Sequence, residues 1–202
     1  MKDMIKITLS LLAIFLAAGV VMGLTYKTTS PVKYIAEQKE KQEALRAMAP
    51  EADADGIKGA GAWTSHAKTY DYYEAKAGKR LVAYIASTAG KGYSSYIKML
   101  VSLDPDLKIK DIKILGHGET PGLGDQIEEP AFIGQFKGKS LPQIVLVKVE
   151  TKENIQAISG ATISSRAVTN GVKDAVQMLV DQYGAGVKAV SKGHQAGHEG
   201  RK

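Results

Sequence analysis

Apolar and polar positions divide the chain into three unlike stretches. From Ile7 to Leu24 no residue is charged and most are apolar. At about 1.5 Å per residue this run nearly crosses a hydrocarbon core of ~30 Å, and Ile5 and Tyr26 extend it. It predicts a transmembrane helix over 7–26 behind a short stub, residues 1–6. A cleaved signal peptide is the competing reading, but the run is long for one and no clear A-x-A site follows directly on it. A buried core helix fits less well, because the run has no polar face. Gly19 and Gly23 have the G-x-x-x-G spacing that lets a second helix approach closely; they are equally small residues in a membrane helix. Lys2 and Lys6 precede the run and Lys27 and Lys33 come after it, so charge alone leaves the orientation open.

The second stretch is polar. Ser30-Pro31 reads as a helix start, with Pro at the first helical position. Val32 to Met48 is rich in Glu, Lys, Gln and Ala, all good helix formers, with Ile35, Leu45 and Met48 as a thin apolar stripe. Glu51 to Gly61 is polar and rich in Gly, Ala and Asp, the composition of a linker or loop. Residues 27–61 are therefore expected to form a membrane-proximal helix and linker.

The third stretch carries the period-2 and period-3.6 patterns of a packed domain, expected over 62–185 with a core starting near Tyr70. Arg80–Ala86, Tyr96–Leu103 and Ile109–Leu115 read as strands, with a turn at Gly90–Ser94 and a tight Asp104-Pro105-Asp106 turn. Asp125 to Phe136 reads as partly helical, with Phe132 and Phe136 one turn apart. Ile144–Val149 reads as a fourth strand. From about Ser165 to Tyr183, Val168, Val172, Val176 and Leu179 mark one face of a helix. Strands in series and then a helix predict an α+β fold: an antiparallel-rich sheet with packed helices, behind a single N-terminal transmembrane helix. The Gly-, His- and charge-rich end, 186–202, is expected to be a disordered tail.

Composition narrows the chemistry. The chain has 202 residues and no cysteine. That removes disulfides, iron–sulfur ligation, c-type haem attachment and a thiol nucleophile. The net charge is +6, with lysines spread along the chain rather than gathered in a stripe with interleaved aromatics. No nucleic-acid partner is expected.

Two segments hold the candidate chemistry. In the first, Thr120-Pro121-Gly122-Leu123 has Pro and Gly at the positions that favour a type II turn, with Gly124 next. His117 and Glu119 precede it at strand-like spacing, so both can point the same way. One His and one Glu make a poor metal site, and none is expected. The segment lacks the third Gly of a dinucleotide fingerprint and opens no helix. A ligand-free hairpin is the plainer reading. The second segment is Ser159-Gly160-Ala161-Thr162-Ile163-Ser164-Ser165, a turn of small and hydroxyl-bearing residues running into a helix. A helix start offers unpaired N–H groups and a positive dipole end to an anion. The plainer reading is an N-cap by Thr162, Ser164 or Ser165. No G-x-S-x-G elbow marks a serine nucleophile.

Both segments, in this order, resemble the RnfG subunit of the Rnf-type (Rsx) ion-translocating electron transport complex, and more distantly the NqrC subunit of the Na⁺-translocating NADH:quinone reductase. The matching motifs are Gly-Glu-Thr-Pro-Gly-Leu-Gly with upstream His117, and Ser-Gly-Ala-Thr with the helix after it. The chain departs from the family pattern at Ser95-Tyr96, where Gly-Pro is common, and at Gly118, where Lys is common. The resemblance implies an FMN-binding domain with FMN held covalently by a phosphoester on Thr162, installed by a flavin transferase. It implies an extracytoplasmic domain on a single-pass protein of the cytoplasmic membrane. It also implies partners among the other integral and peripheral subunits of a ferredoxin:NAD⁺ oxidoreductase, in which this chain carries electrons and has no catalytic residue of its own. Ser159, Gly160, Ala161, Ser164 and Ser165 would surround the attachment point. His117, Glu119 and Thr120 are candidates for polar contacts to the ring or ribityl chain, with Pro121, Gly122, Leu123 and Gly124 beside them and Tyr93 adding packing. Two other readings are a stand-alone extracytoplasmic flavinylated reductase and a ligand-free adaptor that braces a membrane complex.

Overall fold

The computed structural model describes residues 2–53 and 55–196, with side chains over 3–53 and 55–184. The chain divides into two compact units after Gln42. The first unit is helical. Helix α1, Lys2–Met48, is the one helix among the described residues long and apolar enough to cross a membrane. Ile14, Phe15, Leu16 and Val20 are all exposed on it, as a lipid-facing surface requires. The helix runs through Pro31 and does not begin there as Ser30-Pro31 predicts. Proline removes one N–H and disturbs the carbonyl four residues back, so a long helix with good formers on both sides absorbs it.

The second unit, from Glu43, is the α+β domain that the alternating patterns predict. Its sheet has the order β1-β2-β3-β4-β5, every neighbour antiparallel. The strands are β1 Ile57–Ser65, β2 Lys68–Ala77, β3 Arg80–Lys91, β4 Tyr96–Leu103 and β5 Ile109–Gly116. The last three match the predicted strands. Strand β1 begins inside the stretch predicted as linker. Apart from Ile57 and Trp63 it is built from Gly, Ala and polar residues, and it carries no alternating apolar signal.

Both faces of the sheet centre are covered, which is why β3 is buried continuously from Val82 to Thr88. On one face, Tyr84, Ala86, Val101 and Leu103 pack under helix α3, Thr162–Ala196. The predicted α3 face, Val168, Val172, Val176 and Leu179, is fully buried there. Each of those side chains contributes about 1.5–3 kcal/mol, so Val172→Asp would break the layer. On the other face, Ala83, Ile85 and Leu100 meet Ala44, Leu45, Met48 and Ala49. The stripe residues Leu45 and Met48 therefore belong to the domain core.

Between β5 and α3 the chain makes short elements. A 3-10 turn spans Gly124–Glu128, helix α2 spans Pro130–Ile133, and a further 3-10 turn spans Gly134–Phe136. Phe132 and Phe136 meet edge to face at 5.5 Å in the core. The predicted strand at 144–149 shrinks to β6, Leu146–Val147, paired in parallel with β7, Ile155–Gln156. Lys148 and Val149 are exposed, so apolar content there does not mark a buried strand. Helix α3 continues to Ala196, into the stretch predicted as tail; residues 197–202 lie outside those described.

α3 is seated tightly on β3. Thr88 Oγ1 donates to the Gly171 carbonyl at 3.2 Å, and a Cβ at Gly90 would collide with the Ala167 carbonyl. This contact fixes the start of α3 against the β3–β4 connection, where the two motif segments converge.

Candidate functional site

The first motif leaves β5 at Gly116. His117 is mostly buried, and its Nδ1 accepts the Glu119 N–H at 3.1 Å. An accepting Nδ1 places the ring proton on Nε2, which faces Glu128 Oε1 at 3.2 Å. Thr120–Leu123 forms the predicted turn. The Leu123 N–H donates to the Thr120 carbonyl at 3.2 Å, and Gly122 adopts φ +75°. Its later donors are spent locally: Gly122 N–H on Asp125 Oδ2 at 2.9 Å, and Gly124 N–H on the Thr120 carbonyl at 2.9 Å. After Pro121 the turn therefore leaves no backbone N–H unspent.

The second motif is also a turn of this kind. Ala161 N–H donates to the Ile158 carbonyl at 3.1 Å, with Gly160 at φ +80°. α3 then begins at Thr162, three residues before the predicted start. Ser165 N–H donates to the Ala161 carbonyl at 2.9 Å, making Ala161 the N-cap residue. An alanine has no oxygen to cap with, so the predicted capping by Thr162, Ser164 or Ser165 does not occur. Ser165 Oγ instead braces the turn, accepting from Ile158 N–H at 3.1 Å and donating to the Ala161 carbonyl at 2.9 Å. The N–H groups of Thr162, Ile163 and Ser164 have no acceptor among the described residues. No acidic residue lies in this first turn of α3.

The two motifs meet. Ser164 Oγ donates to Glu119 Oε2 at 2.5 Å. Leu123 lies against Gly160, and Gly124 lies against both Glu119 and Ser164. The candidates separate into two sets. Glu119, Ala161, Ser164, Ser165 and Gly124 are buried and form the frame. Thr162 is half-buried, and Ser159, Gly160, Thr120, Pro121, Gly122 and Leu123 are more open to solvent. Glu119, expected as a ligand contact, has its carboxylate turned inward onto protein donors. Burial alone pushes its carboxyl up, but hydrogen bonds from Ser164 Oγ and the Tyr93, Ser95 and Ser94 N–H groups outweigh it and hold it below the ordinary carboxylate range.

Sequence reasoning missed the neighbouring cleft. It holds about 240 Å³ between β3, β4 and α3, with Lys91, Tyr96, Ile163, Arg166, Ala167 and Asn170 among its walls. Lys68 Nζ sits 3.1 Å from the Tyr96 ring centroid. Tyr93, Leu123 and Ile163 stand exposed around the start of α3. The available signal was the spacing of Ile163, Arg166, Ala167 and Asn170, a second face of the same helix. These residues fit a phosphorylated flat ring. A hydroxyl at the first helical residue, free first-turn N–H groups and two cationic cleft residues suit a phosphate, and exposed aromatic and aliphatic side chains suit a ring.

Residues 92–177 match the FMN-binding domain family. The chain is 35% identical over 183 residues to the G subunit of the proton-translocating ferredoxin:NAD(+) oxidoreductase complex of Clostridium ljungdahlii, covering 88% of this chain and 92% of that one. It is 32% identical over 191 residues to the G subunit of the Na(+)-translocating ferredoxin:NAD(+) oxidoreductase complex of Acetobacterium woodii, covering 88% and 92%. The crystal structure of NqrC from Shewanella oneidensis superposes with a TM-score of 0.50 at 25% identity, covering 66% of this chain and 75% of that one. By sequence along most of its length, the chain belongs to the RnfG family, the G subunits of Rnf-type ion-translocating ferredoxin:NAD(+) oxidoreductase complexes.

Proposed function

We propose that this chain is the FMN-carrying, single-span subunit of a membrane-bound ion-translocating ferredoxin:NAD(+) oxidoreductase complex, with FMN joined through its phosphate to Thr162 Oγ1. In this reading α1 anchors the chain in the cytoplasmic membrane. The domain lies on the extracytoplasmic side and works against other integral and peripheral subunits, and a flavin transferase installs the cofactor. The observation that carries the reading is the convergence of both motifs on the first turn of α3, where the half-buried Thr162 adjoins N–H groups with no other acceptor among the described residues.

FMN when bound supplies the redox chemistry. The chain supplies placement. The α3 dipole and the free N–H groups favour the phosphate's negative charge, by about 0.3–1 kcal/mol for the dipole. Arg166 and Lys91 add positive charge at the neighbouring cleft. Tyr93, Leu123 and Ile163 offer apolar surface to a ring, and the frame beneath them holds their backbones in place. No titratable side chain hydrogen-bonds Thr162 Oγ1 among the described residues. The chain thus offers Thr162 no activating base of its own, which fits attachment by a separate enzyme. A covalent link keeps the cofactor on a domain outside the cytoplasm.

The test is in-gel flavin fluorescence after denaturing electrophoresis, from cells that express the transferase. Wild-type protein retains the signal and Thr162→Val loses it. Wild-type protein without fluorescence, or a variant that keeps it, rejects the reading. Purification from native membranes tests the assembly: co-purifying integral subunits support it, and an isolated chain favours a stand-alone reductase.

A further inference from the structure

The geometry points to Glu119 as a positioning residue: a buried carboxylate that latches the β3–β4 connection to the first turn of α3 and so sets the environment at Thr162. It makes this latch without facing the cofactor site. Glu119 is 5% exposed, and its two oxygens take four protein donors. Oε1 accepts the Ser94 N–H at 3.0 Å and the Ser95 N–H at 3.1 Å. Oε2 accepts the Tyr93 N–H at 2.9 Å and Ser164 Oγ at 2.5 Å. Three consecutive amides converging on one carboxylate form an anion nest, here filled by the protein's own side chain.

Packing around the carboxylate matches this role. A Cβ at Gly92 would lie 2.5 Å from Glu119 Oε1, and one at Gly124 would lie 2.7 Å from Glu119 Cβ. Glycine at both positions lets the carboxylate reach the nest. Its own backbone is fixed too, since Glu119 N–H donates to His117 Nδ1 and Gly118 N–H donates to Ser95 Oγ at 2.7 Å. The latch thus joins three segments that are distant in sequence: 92–95, 117–124 and the start of α3. Two residues of the site ride on its ends. Tyr93 belongs to the nest, and Thr162 lies two residues before Ser164 on the same helical turn. A shift at Glu119 moves both. A negative charge held beside the start of α3 also opposes adding electrons to a group anchored there.

This inference rests on the flavin assignment for one of its two readouts only. The experiment uses the full chain, produced with its transferase and purified in detergent, as wild type, Glu119→Gln and Ser164→Ala. Glutamine keeps the shape but presents an NH₂ to donors that need an acceptor. The first readout is amide hydrogen exchange over 92–95, which needs no flavin. Exchange there at least roughly tenfold faster in Glu119→Gln, with the strands unchanged, is the expected result. Exchange unchanged at 92–95 overturns the latch. The second readout is the midpoint potential of the bound flavin, expected to move to more positive values in Glu119→Gln. Faster exchange with an unmoved potential reduces Glu119 to a structural fastener and overturns the positioning role. Ser164→Ala removes only the helix-side donor and guards against a misfolded Glu119 variant. It is expected to keep the protection of 92–95 while speeding exchange at Ser165 and the hydrogen-bonded N–H groups of the next turn of α3; unchanged exchange there overturns the latch. Wild-type chain without flavin rejects the flavin assignment, and the exchange result then still decides the latch.

Discussion

The two glycine turns, Thr120–Leu123 and Ile158–Ala161, share a backbone shape and differ in the element each one leads into. Each closes with an i to i+3 hydrogen bond, and each places glycine at positive φ in its third position. The first turn runs into a 3-10 turn and spends the N–H donors after Pro121 on Asp125 and on the Thr120 carbonyl. The second runs into a 35-residue helix whose first N–H groups remain unspent among the described residues. The same local chemistry therefore makes an apolar lip in one place and an anion-ready helix start in the other. A turn's function is set by its continuation, and Glu119 binds the two turns into one site.

Glu119→Ala would break that comparison most strongly. It leaves Ser164 Oγ and three N–H groups without their acceptor. We expect a loss of about 3–5 kcal/mol in denaturant unfolding of the domain. An effect under about 1 kcal/mol would mean that water or another acceptor replaces the carboxylate. Acid provides a milder version of the same change. Glu119 and Glu74 both have lowered pKa values, Glu74 through Lys76 at 2.6 Å and then, against the opposing effect of burial, through the Tyr183 hydroxyl at 2.9 Å. A carboxylate lowered by folding stabilises the native state above its unfolded pKa, about 4.3, and that stability is lost as pH falls through the folded value. The melting temperature is expected to hold from neutral pH down to about 5 and to fall below about 4. In Glu119→Gln the fall is expected to be shallower.

The domain was readable where burial and periodicity coincide. Strands β3 to β5 and the face Val168, Val172, Val176 and Leu179 are legible from apolar spacing, because packing there repeats the period of the backbone. Strand β1 was not readable. Its Gly59-Ala60-Gly61-Ala62 core is exposed, and its pairing with β2 is set by backbone hydrogen bonds that leave no mark on residue type. The site shows the same division. Glycine positions foretold the first turn, and the small residues around Thr162 foretold a helix start. The role of Glu119 stayed hidden, because three of its four partners are backbone amides of residues 93–95. Any sequence can supply an amide.

Gly122→Ala and Gly160→Ala sharpen the contrast between the turns. Both force alanine to positive φ, and each is expected to cost about 1–2 kcal/mol in unfolding experiments. Only the second distorts the entry to α3, so only Gly160→Ala is expected to reduce flavin loading several-fold when read as absorbance per mole of protein. Equal loading in the two variants would mean that the turns are interchangeable supports. The smallest effect on stability is expected at Thr162 itself. Thr162→Val keeps the shape of a half-buried side chain whose hydroxyl makes no protein hydrogen bond among the described residues. It is expected to shift the unfolding free energy by under about 0.5 kcal/mol.

That last residue also offers the most direct measurement. Native protein, isolated from its own membranes and digested, should yield a peptide spanning Ser159–Ser165 that carries the mass of one phosphoester-linked FMN, with fragmentation placing it on Thr162. The same peptide found at its unmodified mass, in cells where the transferase is active, would contradict the account.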